Sequence, residues 1–465
     1  MNDKLPSESR NFDELPLSPG MLATLQQLGY RVMTPIQAAS LPVALAGHDL
    51  IAQAKTGSGK TAAFALSLLT RLNPRRFAVQ AMVLCPTREL AEQVTQEIRR
   101  LARSSDNIKI LALCGGSIIR TQINSLEHGA HIVVGTPGRV MDHLERGTLD
   151  LAALNTLVLD EADRMLEMGF YEDIAFIAKR CPTDRQTLLF SATYPEGINR
   201  LASQFLRNPQ QVKLLEQHQE NQIRQRFYAV EDEQRFEAVV ALLKHYRPVS
   251  ALAFCNTKQQ CRSLLEMLHA RGIKALTLNG DLEQRERDQV LIQFANRSCS
   301  VLVATDVAAR GLDIAQLEAV INVELTPDPE IHVHRIGRTG RADNEGWALS
   351  LCSQADRNHL IRISQLMQLT PEWHELSALQ NPLEAVLVPP MVTLQILGGR
   401  KEKIRPADVL GALTNEAGLT RAEVGKITVT EMHTYVAVTH DKAYDTVRKL
   451  SAGRMKGKTV KVRAL

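Results

Sequence analysis

Leu157-Val158-Leu159-Asp160-Glu161-Ala162-Asp163 turns from apolar to acidic within seven residues. The apolar run is short and continuous rather than alternating, as suits a strand of a parallel sheet covered on both faces. Carboxylates that arrive as such a strand ends stand where open α/β sheets bind ligands. Two neighbouring carboxylates can divide the labour, Asp160 holding Mg²⁺ through its water shell and Glu161 orienting an attacking water. The plain alternative is an acidic helix start after a strand.

A second stretch favours the chemical reading. Ala54-Lys55-Thr56-Gly57-Ser58-Gly59-Lys60-Thr61 follows the apolar Leu50-Ile51-Ala52 and opens a helical run from Ala62 to Leu72. Strand, glycine-bearing loop and helix in that order form a phosphate cradle: backbone N–H groups close on the oxygens and the helix N-terminus adds partial positive charge. Lys60 would reach the β- and γ-phosphates, and Thr61 would join Asp160 on the metal. Alanine stands at position 54, where the usual pattern has glycine; Gly57, Gly59, Lys60 and Thr61 remain in place.

The chain has 465 residues, enough for about three domains. Hydrophobic residues make up 44% and charged residues 23%, a composition for packed cores rather than disorder. No apolar run approaches the ~20 residues of a membrane span, and MNDKLPSESR lacks a signal-peptide core, so a cytoplasmic protein is expected. Seven cysteines without C-x-x-C spacing read as small core residues in a reducing compartment. Residues 391–465 hold 14 Lys and Arg against 7 Asp and Glu, while the remainder holds 41 against 44. A basic module on a nearly neutral body points to a polyanion partner.

Two halves repeat one plan. Short apolar strands are predicted at 81–84, 132–134, 157–159 and 187–190, and again at 251–254, 275–278, 301–304, 320–323 and 348–351. Helix-like segments such as Arg88–Ala102 separate them. The polar, Gln- and Glu-rich 208–223 reads as a linker, and 369–390 as a second one. Beyond it the order is strand 392–397, helix 405–416, strands 424–430 and 433–439, helix 441–451, strand 458–463, the split βαβ of ferredoxin-like folds.

In order, the chain shows 29–37 (GYRVMTPIQ), the phosphate loop, Pro86-Thr87-Arg88-Glu89-Leu90-Ala91, Gly115-Gly116, Thr136-Pro137-Gly138-Arg139, Asp160-Glu161-Ala162-Asp163 and Ser191-Ala192-Thr193. The second half adds 305–313 (TDVAARGLD) and 334–341 (HRIGRTGR). The ordered set resembles a DEAD-box ATP-dependent RNA helicase over about residues 12–365. The basic module makes the chain most similar to the DbpA subgroup, which is associated with 23S ribosomal RNA and large-subunit assembly. The resemblance implies two tandem RecA-like parallel-sheet domains, at 1–207 and 224–368, and an RRM-like βαββαβ domain at 391–465.

For the ATP site it implies Thr56, Gly57, Ser58, Gly59, Lys60 and Thr61 around the phosphates, with Gln37 on the adenine edge and Gly311 and Asp313 at the ribose. Phe12 matches the family's aromatic beside the base, or is equally a packed side chain. Glu161, Asp160, Lys60, Arg338 and Arg341 are the implied catalytic set, the two arginines acting as fingers from the second half. Asp163, Ser191, Thr193 and His334 match coupling positions. RNA contacts are implied at Pro86, Thr87, Arg88, Gly115, Gly116, Thr136, Pro137, Gly138 and Arg139, then at Thr257, Gln284, Arg287 and Thr305. They address the RNA backbone, so the core should be nonspecific.

In the third domain, alternation puts Thr393, Gln395, His433 and Tyr435 on the outer face of the sheet and Val436 and Val438 inward. Tyr435 is the expected stacking residue. Basic side chains gather at Arg400, Lys401, Lys403 and Arg405 and again at Arg454, Lys456, Lys458, Lys461 and Arg463, which fits structured RNA held by loops and edges. An ATP-gated RNA clamp that closes without unwinding is the alternative to a helicase.

Overall fold

The computed structural model describes residues 10–54, 57–105, 107–194, 196–213, 223–309, 317–340, 345–379, 387–453 and 459–465. Thr56, Gly311, Asp313 and Arg341, and the basic Arg454, Lys456 and Lys458, lie outside them.

The first domain is built on seven parallel strands: β1 (Leu50–Gln53), β2 (Ala81–Leu84), β3 (Ile110–Leu113), β4 (Ile132–Gly135), β5 (Thr156–Leu159), β6 (Gln186–Ser191) and β7 (Gln210–Lys213). Their order across the sheet is β3-β4-β2-β5-β6-β1-β7. The second domain uses β8 (Ile223–Ala229), β9 (Ala251–Phe254), β10 (Ala275–Leu278), β11 (Val301–Ala304), β12 (Ala319–Asn322), β13 (Gly346–Cys352) and β14 (Trp373–His374). Their order, β10-β11-β9-β12-β13-β8-β14, repeats the first strand for strand. β2, β4, β5, β9, β11 and β12 are buried at every position, with helices on both faces. That is why their sequences are unbroken apolar runs rather than alternating ones.

The strands missing from the sequence reading are mainly those that break this rule. β7 (QQVK) is largely exposed and, among the described residues, pairs only with β1, at the sheet edge. It and the start of β8 fall inside the expected linker 208–223, so part of that linker is sheet. Trp373–His374 of the second expected linker pairs with β8, and Leu387 is buried in the second core. Both segments owe their order to a neighbouring strand and not to an apolar pattern of their own.

The third domain has strand order β16-β17-β15-β18, all antiparallel, from β15 (Met391–Leu397), β16 (Val424–Val429), β17 (His433–Thr439) and β18 (Val462–Ala464). Helices Pro406–Asn415 and Ala443–Ala452 complete the βαββαβ order. Val392, Leu394, Ile396, Val436 and Val438 line its core, as alternation requires.

The opposite face of this sheet corrects one expectation. Thr393, Gln395 and Tyr435 lie on it, with Thr393 opposite Ala437 and Gln395 opposite Tyr435. Tyr435 is only 4% exposed, and its hydroxyl accepts from Gln395 Nε2 at 3.2 Å. Alternation told which side of the sheet the ring occupies; it could not tell that the second domain covers that side. As built, Tyr435 is not a stacking platform.

Candidate active site and nucleic-acid interface

β1 delivers the phosphate loop. Gly57 and Gly59 have φ of 82° and 95°, the left-handed region open to glycine at little cost. A Cβ at Gly59 would sit 2.6 Å from Gln37 Nε2 and 2.9 Å from Thr34 Oγ1, so the loop is pressed against the segment before it. Gln37 makes that contact: its Nε2 donates to Gly59 O at 3.1 Å, and its Oε1 accepts from Thr34 N–H at 2.9 Å. Each end of the amide keeps one unused hydrogen-bonding position, the pair an adenine edge requires. Gln37→Ala removes two hydrogen bonds worth ~1 kcal/mol each, so ATP affinity is expected to fall roughly thirtyfold. The ratio of ATP to GTP affinity, measured in the same titration, should narrow; an unchanged ratio would place adenine reading elsewhere. Phe12 is packed edge-on to Tyr30, with ring centroids 6.2 Å apart, and belongs to the first core.

Lys60 begins the helix Lys60–Arg71 and is 5% exposed, and Asp160, at the end of β5, is 3% exposed. The Lys60 ammonium and Asp160 Oδ1 are buried without a hydrogen-bond partner among the described residues. Burial pushes the Asp160 carboxyl up to about 7, against the pull of Lys60. The fold therefore holds this proton more tightly than the unfolded chain does, and that stability is lost as pH rises through about 7. An unsatisfied ammonium and an unsatisfied carboxylate fit a phosphate and a cation between them, since each lacks the partner that such a ligand supplies.

Glu161 occupies the left-handed region, φ 52° and ψ 52°, as the N-cap of helix Ala162–Glu167. A non-glycine residue held there stores strain, of a kind that clusters at functional sites. Its carboxylate lies 3.1 Å from Arg164 Nη1, with both side chains about 5% exposed or less. Asp163 then ties this helix to the end of β6: its Oδ2 accepts from Ala192 N–H at 3.1 Å and from Thr193 N–H and Oγ1 at 2.8 and 2.9 Å. Ser191 Oγ donates to Thr193 O at 2.6 Å. The acidic motif and Ser191-Ala192-Thr193 are thus one hydrogen-bonded unit, so a shift at either moves the other.

The first-domain residues expected to contact RNA gather at the same end of the sheet, after β2, β3 and β4. Thr87 caps helix Arg88–Leu101 by accepting from Leu90 N–H. The Arg88 guanidinium lies over Gly115, where a Cβ would meet Nη2 at 2.9 Å. Thr136 is the N-cap of Pro137–Glu145, and Arg139 Nη1 donates to Ser117 O at 3.2 Å and to Gln122 Oε1 at 2.8 Å. Two residues with no motif signal organise this cluster. Gln122 Nε2 donates to Cys114 O at 3.0 Å, and its Oε1 also meets His143 Nε2 at 2.9 Å. His143 was findable only as the residue four after Arg139, on the same helix face.

In the second domain, Thr257 caps Lys258–Ala270 through a reciprocal pair with Gln260. Gln284 and Arg287 open the helix Gln284–Ala295, where Arg287 Nη2 donates to Ala308 O at 2.6 Å. Thr305 immediately precedes Asp306–Ala309. His334 and Arg338 end Pro329–Ile336 or follow it, Arg338 being 5% exposed. The unassigned Arg335 proves central: its fork grips both oxygens of Asp306 at 2.6 and 2.7 Å and reaches Glu324 O and Asn256 Oδ1 at 2.7 and 2.9 Å.

Two parallel-sheet domains of one topology, the first with a phosphate loop beside paired carboxylates, define a RecA-like nucleotide-hydrolysing protein. Family models agree: DEAD/DEAH box helicase over residues 34–201, Helicase conserved C-terminal domain over 234–343 and DbpA RNA binding domain over 393–464. The chain is 51% identical over 449 residues to the ATP-dependent RNA helicase DbpA of Escherichia coli K12, covering 97% of this chain and 98% of that one. It is 42% identical over 374 residues to the DEAD-box ATP-dependent RNA helicase CshA of Geobacillus kaustophilus, 80% of each chain. Among solved structures, Saccharomyces cerevisiae Dbp5 bound to RNA and ADP BeF3 matches with a TM-score of 0.71 and 30% identity, covering 79% of this chain and 96% of that one. The chain belongs to the DEAD-box ATP-dependent RNA helicases, with a DbpA RNA-binding domain following its two RecA-like domains.

Proposed function

We propose that this helicase uses ATP hydrolysis to unwind or remodel structured RNA locally, the RNA being 23S ribosomal RNA during large-subunit assembly in the cytoplasm. The observation that carries this reading is the third domain. It matches a DbpA RNA-binding model, and it carries the net positive charge of the chain. Arg400, Lys401, Lys403 and Arg405 are exposed around one turn. Gly399 lets that turn approach the β16–β17 connection so closely that a Cβ would meet Thr430 O at 2.4 Å and Glu431 O at 2.6 Å. Loop-borne cations beside a hairpin suit the phosphates of a folded RNA.

Thr61 and Asp160 would hold Mg²⁺, which supplies charge neutralisation on the phosphates, while Lys60 anchors them and Glu161 orients the water. Arg338 and Arg341 would add positive charge as the γ-phosphate is transferred, and Asp313 and Gly311 would serve the ribose. The first-domain cluster around Arg88, Gly115, Gly116 and Arg139 offers N–H groups and guanidinium to a sugar–phosphate chain, with Thr257, Gln284, Arg287 and Thr305 doing so in the second.

Removal of residues 391–465 tests the division of labour. ATP hydrolysis stimulated by saturating plain single-stranded RNA should persist, because the core is intact. The concentration of 23S rRNA fragments needed for half-stimulation should rise about a hundredfold, as loss of a linked site predicts. A truncated enzyme that still favours 23S rRNA would put the address in the core.

A further inference from the structure

Three segments of the first domain meet on one side chain. Gln122 lies on helix Ile119–Glu127, between β3 and β4, and is 9% exposed. Its Nε2 donates to Cys114 O at 3.0 Å and to Ser117 Oγ at 2.7 Å, closing the turn that holds Gly115 and Gly116. Its Oε1 accepts from Arg139 Nη1 at 2.8 Å and from His143 Nε2 at 2.9 Å. All four hydrogen-bonding positions of the amide are therefore filled, two through its N–H groups and two through its lone pairs.

The partners fix which way round the amide stands. The Cys114 contact is a carbonyl oxygen and the Arg139 contact a donor, so a flipped amide would face each with its like. His143 then donates through Nε2, which leaves Nδ1 to accept from the Thr148 hydroxyl at 2.8 Å. Burial holds the His143 imidazole below the ordinary histidine pKa, as suits a neutral ring in this place. Arg139 is gripped by one nitrogen. Its Nη1 serves Gln122 and Ser117 O, and among the described residues Nη2 has no hydrogen-bond partner. The sheet fixes where β3 and β4 end, but the turn after one and the guanidinium after the other are joined through Gln122.

We infer that Gln122 is a positioning residue for RNA: it sets the spacing between the Gly115-Gly116 turn and the Arg139 guanidinium, so that both meet one sugar–phosphate chain together. With Nη1 held, Arg139 presents Nη2 to a phosphate without losing rotamer freedom at the moment of binding. This rests on the proposed RNA contacts at Gly115, Gly116 and Arg139.

Gln122→Glu separates this role from general packing. The change is nearly isosteric, takes both N–H donors from the turn, and puts on Arg139 a carboxylate that competes with phosphate. In full-length protein, the concentration of oligo(A) giving half-maximal ATP hydrolysis should rise roughly tenfold. The slope of log affinity against log salt should shrink by about 0.7, the share of one single-strand phosphate contact. The KM for ATP at saturating RNA should stay within about twofold of the parent, because the phosphate loop in the same domain is untouched; a misfolded domain would disturb both. Arg139→Ala should show a similar rise and the same loss of slope. If Gln122 acts through Arg139, the double variant Gln122→Glu with Arg139→Ala should be no more than about threefold worse than the worse single one, whereas independent losses would multiply to roughly a hundredfold. Half-stimulation within about twofold of the parent in Gln122→Glu overturns the inference, as does an unchanged salt slope, a raised KM for ATP, or losses that multiply in the double variant. If Arg139→Ala also changes neither concentration nor slope, the proposed RNA contact at Arg139 has itself failed; if Arg139→Ala matters and Gln122→Glu does not, only the positioning role has.

Discussion

Glu161→Gln is expected to leave ATP binding near its original level while turnover falls by about two to four orders of magnitude, the range for loss of an acid–base group. The geometry separates the two effects. Lys60 and the glycine loop, the proposed phosphate contacts, are untouched, whereas Glu161 stands past the end of β5, held in a left-handed conformation at φ 52°. Its neighbour Arg164, 3.1 Å away, keeps a carbonyl oxygen to face in the glutamine variant, but no counter-charge. Some stability should be lost as well, so thermal melts and a nucleotide titration belong beside the steady-state rate. Turnover close to that of the parent protein would remove Glu161 from the role of orienting water.

Arg335→Ala is expected to loosen the second RecA-like domain by about 3–5 kcal/mol, the cost of breaking a buried ion pair from one side. Arg335 is 1% exposed and is among the largest fully buried side chains among the described residues. Its planar fork serves the Asp306 carboxylate, a backbone carbonyl and an asparagine at once, and lies 5.0 Å over the Phe254 ring. Arg335→Lys offers a point charge where a fork is needed and should not rescue it. A global melting curve is a poor reporter in a multidomain chain. Amide exchange in β9 and β12 reads the domain directly and should quicken by two to three and a half orders of magnitude. Exchange within tenfold of the parent would mean that Asp306 finds another partner.

The sheets were legible where burial on both faces had filtered a strand down to apolar residues, as in Leu157–Leu159. They were not legible in Gln210–Lys213, whose side chains face water and whose place comes from β1. At the candidate nucleotide site, spacing singled out Gly57, Gly59, Lys60, Asp160 and Glu161, because the proposed chemistry demands those types in that order. Gln122 was invisible for the converse reason, since it works through a backbone carbonyl and neighbours brought together by the sheet; His143 was signalled only by its spacing from Arg139, and Arg335 stood inside 334–341 with nothing local to mark its buried role. Tyr435 marks another limit, for strand alternation assigns a side chain to a face without saying what covers the face.

One strand-displacement measurement tests the account most directly. A short RNA duplex is joined to a 23S rRNA fragment, and its separation by the full-length protein is compared with that of the same duplex alone. The account predicts separation that requires hydrolysable ATP, is lost in Glu161→Gln, and proceeds at far lower enzyme concentration when the fragment is attached. A joined duplex that stays paired while ATP is steadily consumed, or separation indifferent to the fragment, would contradict it.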